Sequence, residues 1–221
     1  MIISEKQTRR ALVDAVRRLD ALGLNRGSTG NASHRLGPGM LITPTGAGPE
    51  VEPEDLVYVR DDGQVVGRWA PSSEWLFHRA VYRARPDAMA VLHTHAPHAT
   101  ALGCLGQKLP AFHYMVAVAG GDDVPLVPYA TFGTEALAQG VAAALAGRNA
   151  CLMAQHGLTS CGATLAQALK VMEEVENLCR IYLLARAVGE PPVLGAEEMT
   201  RVLKQFKTYG WRRAPAAKKT T

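Results

Sequence analysis

No apolar run in this 221-residue chain approaches the ~18–20 residues that a membrane-spanning helix needs, so a membrane partner is not expected. The opening residues, MIISEKQTRRALVDAV, lack the apolar core of a secretory signal and read as the start of an amphipathic helix; a cytoplasmic protein is expected. The four cysteines (Cys104, Cys151, Cys161, Cys179) form no CxxC pair, which argues against a thiol-bound metal and predicts reduced, mostly buried thiols. Charge is nearly balanced, 24 Lys and Arg against 20 Asp and Glu, and part of the excess sits at Arg212, Arg213, Lys218 and Lys219. Without a basic stripe interleaved with aromatics, nucleic acid is not an expected partner. No repeat, low-complexity segment or Ser/Gly/Pro linker divides the chain. One domain over 1–210 is expected, followed by a basic, solvated tail over 211–221.

Present instead are 48% apolar and 20% charged residues, the balance of a chain that folds around a core. Leu12, Ala15, Val16, Leu19 and Leu22 fall at helical spacing, which predicts a helix over 5–22 stopped by Gly23. Residues 23–50 are rich in Gly, Pro, Thr and Asn around the apolar Met40-Leu41-Ile42, and predict turns and short strands. Ser72 is a credible N-cap for a helix whose apolar stripe is Leu76, Phe77, Ala80, Val81 and Ala84. Strands are expected over 88–95, 124–129 and 150–154. Thr134 and Thr164 are placed to cap helices, the second carrying a core side from Leu165 to Leu183 and stopping at Gly189-Glu190-Pro191-Pro192. A last helix covers roughly 196–207. Helices and strands mixed throughout give an α/β or α+β class without fixing strand order.

His93 and His95 stand two apart at the end of the 88–95 strand, where a period of two puts both rings on one face. That spacing suits a single ion held at roughly 2.0–2.1 Å per nitrogen. It suits buried core histidines as well. His156 is read as ending another apolar strand, and Gly157 after it would let the chain turn sharply. Three imidazoles with one open position is the plan of a catalytic zinc site, whereas a structural site closes with four protein ligands. The segment HTHAPH (93–98) half-matches the HxHxDH signature of metallo-β-lactamase-like hydrolases, but Pro97 occupies the place of the required Asp ligand. His34, His78, His98 and His113 carry no spacing signal and read as ordinary core or surface histidines.

Glu74 falls in the first turn of its helix, which favours a carboxylate through the helix dipole whether or not that carboxylate serves as a general base. Ser72 and Ser73 at that helix start offer hydroxyl and N–H groups suited to an anion such as phosphate. The turns GSTGN (27–31) and TPTG (43–46) could add N–H donors. By spacing alone each reads first as a turn, and neither matches the Walker P-loop or GxGxxG.

Taken together and in order, a set of stretches resembles the class II aldolase/adducin family: GLNRGSTGNAS (23–33), MLITPTG (40–46), PSSEWLFH (71–78), AVLHTHAPH (90–98), HYMVAVAGG (113–121), VPYATFGT (127–134), QHGL (155–158) and FKTYG (206–210). Within that family the likeness is greatest to aldolases of ketose 1-phosphates such as L-fuculose 1-phosphate. The resemblance implies a three-layer α/β/α fold around a central, mostly antiparallel sheet, assembled as a homotetramer with active sites at subunit interfaces. It implies His93, His95 and His156 as ligands of Zn2+, with Mn2+ or Co2+ as alternatives, and Glu74 as an acid/base that also touches the metal when substrate is absent. Gly30, Asn31, Thr45, Gly46, Ser72 and Ser73 fall where the family binds the substrate phosphate. Tyr114 matches a tyrosine that serves the aldehyde end of the reaction from a neighbouring subunit, and Tyr209 a C-terminal tyrosine near that site. The implied reaction is reversible cleavage of a small phosphorylated sugar to dihydroxyacetone phosphate and an aldehyde through a metal-stabilised enediolate.

The same scaffold hosts pentulose-phosphate 4-epimerases, a methylthioribulose-phosphate dehydratase, oxo-acid sugar phosphate decarboxylases and non-enzymatic adducin heads. The metal trio with Glu74 argues against the adducin heads, and the glutamate of SSEW against the epimerases. A 3-oxo-tetronate 4-phosphate decarboxylase stays open, because loss of CO2 yields the same enediolate. So does a salvage aldolase for 5-deoxy- or methylthio-pentulose 1-phosphates. Thr94 and Gln155 depart from the family pattern beside the ligands, where they could tune a metal without removing it. The Arg/Lys-rich tail departs from it after Tyr209.

Overall fold

Ser4 and Gln7 start the first helix. Ser4 Oγ accepts from Gln7 N at 3.3 Å while Gln7 Oε1 accepts from Ser4 N at 3.0 Å, a capping box of the kind worth about 1 kcal/mol. Helix α1 (Glu5–Ala21) then buries Leu12, Val13, Val16 and Leu19 along one side, as the spacing predicts. In this computed structural model, which describes residues 4–208, the chain continues through β1 (Asn31–Leu36), β2 (Gly39–Ile42), β3 (Val57–Arg60) and β4 (Val65–Val66). Next come α2 (Trp75–Ala84), β5 (Ala90–Thr94), α3 (Pro97–Cys104), β6 (Leu126–Val127) and α4 (Glu135–Leu145). The hairpin of β7 (Ala150–Met153) and β8 (Gly157–Gly162) leads into α5 (Leu165–Arg186) and α6 (Ala196–Phe206).

The strands form one sheet in the order β4-β3-β2-β1-β5-β8-β7-β6, antiparallel except for the parallel pair β6–β7. Helices α1, α3 and α5 cover one face, and α2 and α4 the other. The fold is therefore the three-layer α/β/α arrangement with a mostly antiparallel sheet. Residues of β5 divide by parity between the two faces: Ala90 and Leu92 join the core under α5, and Val91 the core under α2 and α4. Both faces of β5 are covered, which is why its sequence reads as a continuous apolar run. Leu12, Leu41, Leu92, Leu152 and Leu158 have no exposed surface, and each such side chain stabilises the fold by about 1.5–3 kcal/mol.

Three local expectations are corrected. The strand expected over 124–129 shrinks to Leu126–Val127, because Pro125 and Pro128 on either side have no N–H to donate, while Val124 bridges to Leu109. Ser72 is not the N-cap of α2; Glu74 holds that position, one residue before the first helical turn, and Ser72 Oγ accepts from Glu74 N at 3.2 Å. His156 does not end a strand but sits in the turn between β7 and β8. Among the described residues no helix is long and apolar enough to cross a membrane. All four cysteines are free, and all but Cys104 are buried. Tyr209 and the 211–221 segment lie outside the described residues.

Candidate functional site

The register of the sheet brings the site together. Asn31 of β1 pairs with His93 of β5, and His93 with Thr159 of β8, so three strands meet where β5 ends. His95 lies just past that end, on the parity of His93. His156 reaches the same place from the β7–β8 turn. That turn is tight: Gln155 adopts a left-handed backbone (φ 48), unusual without a glycine. Gly157 leaves no room for a side chain, since a Cβ would lie 2.4 Å from the Thr94 carbonyl oxygen and 3.1 Å from carbons of both the His93 and His95 rings. Glycine is therefore what lets β8 close on the two histidines.

The three rings form a triangle with centroids 5.2 Å (His93–His95), 4.8 Å (His93–His156) and 5.1 Å (His95–His156) apart. One nitrogen from each lies within 4.8 Å of the others. His93 Nδ1 is 3.1 Å from the Leu158 carbonyl oxygen, which can only accept, so the ring proton sits on Nδ1 and Nε2 is left as a bare lone pair. That lone pair faces Glu74 Oε2 at 3.3 Å, and His156 Nε2 lies 3.2 Å from Glu74 Oε1. Two electron-rich atoms held face to face in a buried site call for a positive charge between them. Glu74 Oε1, His93 Nε2 and His95 Nε2 are moreover buried without a hydrogen-bond partner among the described residues, an arrangement costly unless something binds there. Bare imidazole nitrogens beside a carboxylate are the donor set of a divalent ion, so the residues fit a metal.

Electrostatics keep these groups in ligand form. Burial pushes His93 down to about 3, with the Glu74 carboxylate opposing it only in part, and burial also lowers His95. Burial alone would raise the Glu74 carboxyl, but the neighbouring His156 and His93 rings and the Asn31 amide outweigh it and hold Glu74 at about 2. His93 and His95 are thus neutral and the carboxylate ionised at neutral pH.

Above the histidines lies an open groove of ≈ 510 Å³, bordered by Thr29, Ser73, Tyr129, Phe132 and Gln155. The segments suggested for phosphate converge beside it. Pro44 and Pro71 bridge, Ser72 N donates to Thr43 O at 3.0 Å and Thr45 N to Ala70 O at 3.1 Å. The Thr45 amide is therefore engaged within the chain. Among the described residues the N–H groups of Gly46 and Ser73 make no hydrogen bond, and Ser73 and Thr45 are exposed. Gly30 packs against β5, where a Cβ would come within 2.6 Å of the His93 carbonyl oxygen. Asn31 is buried and donates through Nδ2 to Glu74 Oε2 at 2.9 Å, leaving its second amide hydrogen free for another acceptor.

The structure does not bring Tyr114 to this groove. It opens a 3-10 turn (Tyr114–Ala119) with its ring stacked on His113 at 4.9 Å and half exposed. Some residues near the site carried no assigned role in the sequence. Glu176, buried on α5, accepts from His98 N, the His98 ring and Ala99 N at 2.7–2.9 Å, satisfying donors of the first turn of α3 immediately after His95. His78, read as an ordinary histidine, is fully buried and bonded to Asn31. The available signal was its i, i+4 spacing from Glu74, which puts the two on one side of α2.

Residues 10–183 match the family described as the class II aldolase and adducin N-terminal domain. The chain is 50% identical over 203 residues, covering 91% of it and 92% of the relative, to a 5-methylthioribulose-1-phosphate/5-deoxyribulose-1-phosphate aldolase of Rhodospirillum rubrum. It is 48% identical over 205 residues, covering 92% of it and 95% of the relative, to the L-fuculose phosphate aldolase of Escherichia coli K12. A solved structure of an L-fuculose 1-phosphate aldolase superposes with a TM-score of 0.88 at 41% identity, over 94% of this chain and 98% of that one.

Proposed function

The chain belongs to the class II aldolase and adducin N-terminal domain family, as an enzyme of its aldehyde-lyase branch, and from that premise we propose that it cleaves a ketose 1-phosphate reversibly to dihydroxyacetone phosphate and an aldehyde. The observation that carries this reading is the meeting of three imidazoles with the buried Glu74 carboxylate at the floor of an open groove. The relatives' substrates, L-fuculose phosphate and 5-deoxy- or 5-methylthio-ribulose 1-phosphate, share a 1-phosphate and an apolar far end. Substrates of that class are the ones proposed here.

His93, His95 and His156 are the residues that would hold a divalent ion, Zn2+ first, with Mn2+ or Co2+ as alternatives. When bound, that ion supplies Lewis-acid stabilisation of negative charge on the substrate oxygens. The free N–H groups of Gly46 and Ser73, the hydroxyls of Thr45, Ser72 and Ser73, and the Gly30–Asn31 turn hold the phosphate away from the breaking bond and fix the reacting carbons over Glu74. In condensation Glu74 takes a proton from C3 of dihydroxyacetone phosphate. In cleavage the C4 hydroxyl proton passes to Glu74 as the C3–C4 bond breaks with its pair left on C3 as the enediolate, and Glu74 then delivers that proton to C3. Tyr114, from a second copy in a homotetramer, serves the aldehyde oxygen, with Tyr209 near that end. A site at a subunit interface accommodates the fact that Tyr114 does not border the groove of its own chain. A cytoplasmic location suits such sugar-phosphate chemistry.

The test is a panel of L-fuculose 1-phosphate, 5-deoxyribulose 1-phosphate, 5-methylthioribulose 1-phosphate and 3-oxo-4-phosphotetronates, followed for both dihydroxyacetone phosphate and CO2. Dihydroxyacetone phosphate from one or more of the sugar 1-phosphates, without CO2, is the expected outcome. Release of CO2 from the tetronates alone would replace the aldolase with a decarboxylase.

A further inference from the structure

A buried hydrogen-bond chain leads away from Glu74 through four side chains. Asn31 Nδ2 donates to Glu74 Oε2 at 2.9 Å, and Asn31 Oδ1 meets His78 Nε2 at 2.5 Å. Ser33 Oγ meets His78 Nδ1 at 2.7 Å and the Tyr82 hydroxyl at 2.8 Å. The chemistry of each group fixes the direction of its bond. A carboxylate only accepts, so Asn31 turns its NH2 to Glu74 and its carbonyl to His78. That carbonyl also only accepts, so His78 carries a proton on Nε2. A neutral ring then offers a lone pair at Nδ1, which the Ser33 hydroxyl fills, and the Tyr82 hydroxyl donates to Ser33 in turn.

The elements supply this chain by their own periodicities. Asn31 and Ser33 share one face of β1 at a spacing of two; Glu74, His78 and Tyr82 follow one another at spacings of four along α2. All five residues are buried, Ser33 and His78 completely, and the Phe77 ring stacks on His78 at 4.5 Å. Water is therefore not available to replace a lost partner. Glu74 Oε2 is anchored by this chain, whereas Oε1 has no hydrogen-bond partner.

We infer that His78 is a positioning residue for Glu74: its Nε2–H locks the Asn31 amide in one orientation, which fixes Oε2 and leaves Oε1 as the oxygen that exchanges a proton with the substrate carbon. This rests on the reading of Glu74 as the acid/base. Without the His78 donor the Asn31 amide is free to turn its oxygen toward the carboxylate, and Glu74 loses its anchor.

The experiment compares His78→Leu, which deletes the donor, with His78→Gln, whose amide can still donate to Asn31. In His78→Leu, kcat should fall about 10- to 100-fold with metal content unchanged, and KM should shift far less. His78→Gln should restore most of that loss. Nitrogen-15 shifts of the ring in the metal-free wild-type protein should place the His78 proton on Nε2; a proton on Nδ1 alone overturns the inference even if His78→Leu fails to fold. Wild-type kcat in His78→Leu alongside an inactive Glu74→Gln removes the positioning role and leaves the acid/base reading intact. An active Glu74→Gln removes that reading itself. Equal kcat losses in both His78 variants, in step with lowered thermal midpoints, assign His78 to the fold alone.

Discussion

Replacing His93 with alanine is expected to abolish metal binding and turnover together. The His93 side chain is fully buried, its tautomer is set by the Leu158 carbonyl, and its bare Nε2 points at the carboxylate. Alanine removes one of three nitrogen donors and leaves two imidazoles, too few to hold an ion against water. Metal per chain should drop toward zero, and activity should fall well beyond the ~10- to 100-fold typical of groups that merely support a ligand. The cavity left behind also costs stability, on the order of a few kcal/mol, so the unfolding midpoint should be measured alongside metal content. A folded variant without metal is the expected outcome. A folded variant that keeps its ion and its turnover would remove His93 from the ligand set.

Glu74→Gln should separate what His93→Ala joins. Glutamine matches glutamate in shape, can still accept from Asn31 through its carbonyl, and leaves all three imidazoles in place. The ion should therefore stay bound, while kcat falls about 100- to 10,000-fold because an amide does not take or return a proton at neutral pH. The pH dependence of stability should change as well. The folded-state carboxyl lies at about 2 against an ordinary 4.5. A depressed carboxyl stabilises the fold above its unfolded value and loses that contribution as pH falls through the folded one, here between about 4.5 and 2. In Glu74→Gln that part of the acid-side loss should vanish from a titration of unfolding midpoint against pH in metal-free protein.

The parts of this fold that were legible in the sequence are those that carry their own signal. Helix α5 announces itself through the Thr164 cap and a long apolar side, and α1 through Leu12, Val16 and Leu19. Strand β8, GLTSCG, and helix α3, PHATALGC, gave no such pattern. Strand β8 is buried throughout and satisfies polar side chains internally, Ser160 Oγ donating to the Ala168 carbonyl at 2.9 Å. Helix α3 is built from small residues that allow close approach: a Cβ on Gly103 would sit 2.8 Å from the Met153 carbonyl oxygen. Periodicity does not register packing of that kind.

The site divides in the same way. Spacing put His93 and His95 on one face, but the arrival of His156 beside them depends on the pairing of β5 with β8, a long-range fact that spacing does not contain. Family resemblance supplied that juxtaposition in advance. It did not supply the side chain that holds Asn31: the i, i+4 spacing of His78 from Glu74 puts the two on one side of α2 without saying what the ring bonds. Asn31 itself, expected at the phosphate, donates to the carboxylate.

On the proposed function, the three histidines and Glu74 form a divalent-metal site for carbon–carbon bond cleavage. Its most direct test is to strip the protein exhaustively with chelator, titrate Zn2+ back, and follow dihydroxyacetone phosphate release from the accepted sugar 1-phosphate at each addition. Release should be absent at the start, rise in proportion to added ion and level off at about one ion per chain. Undiminished release from fully stripped protein would contradict it.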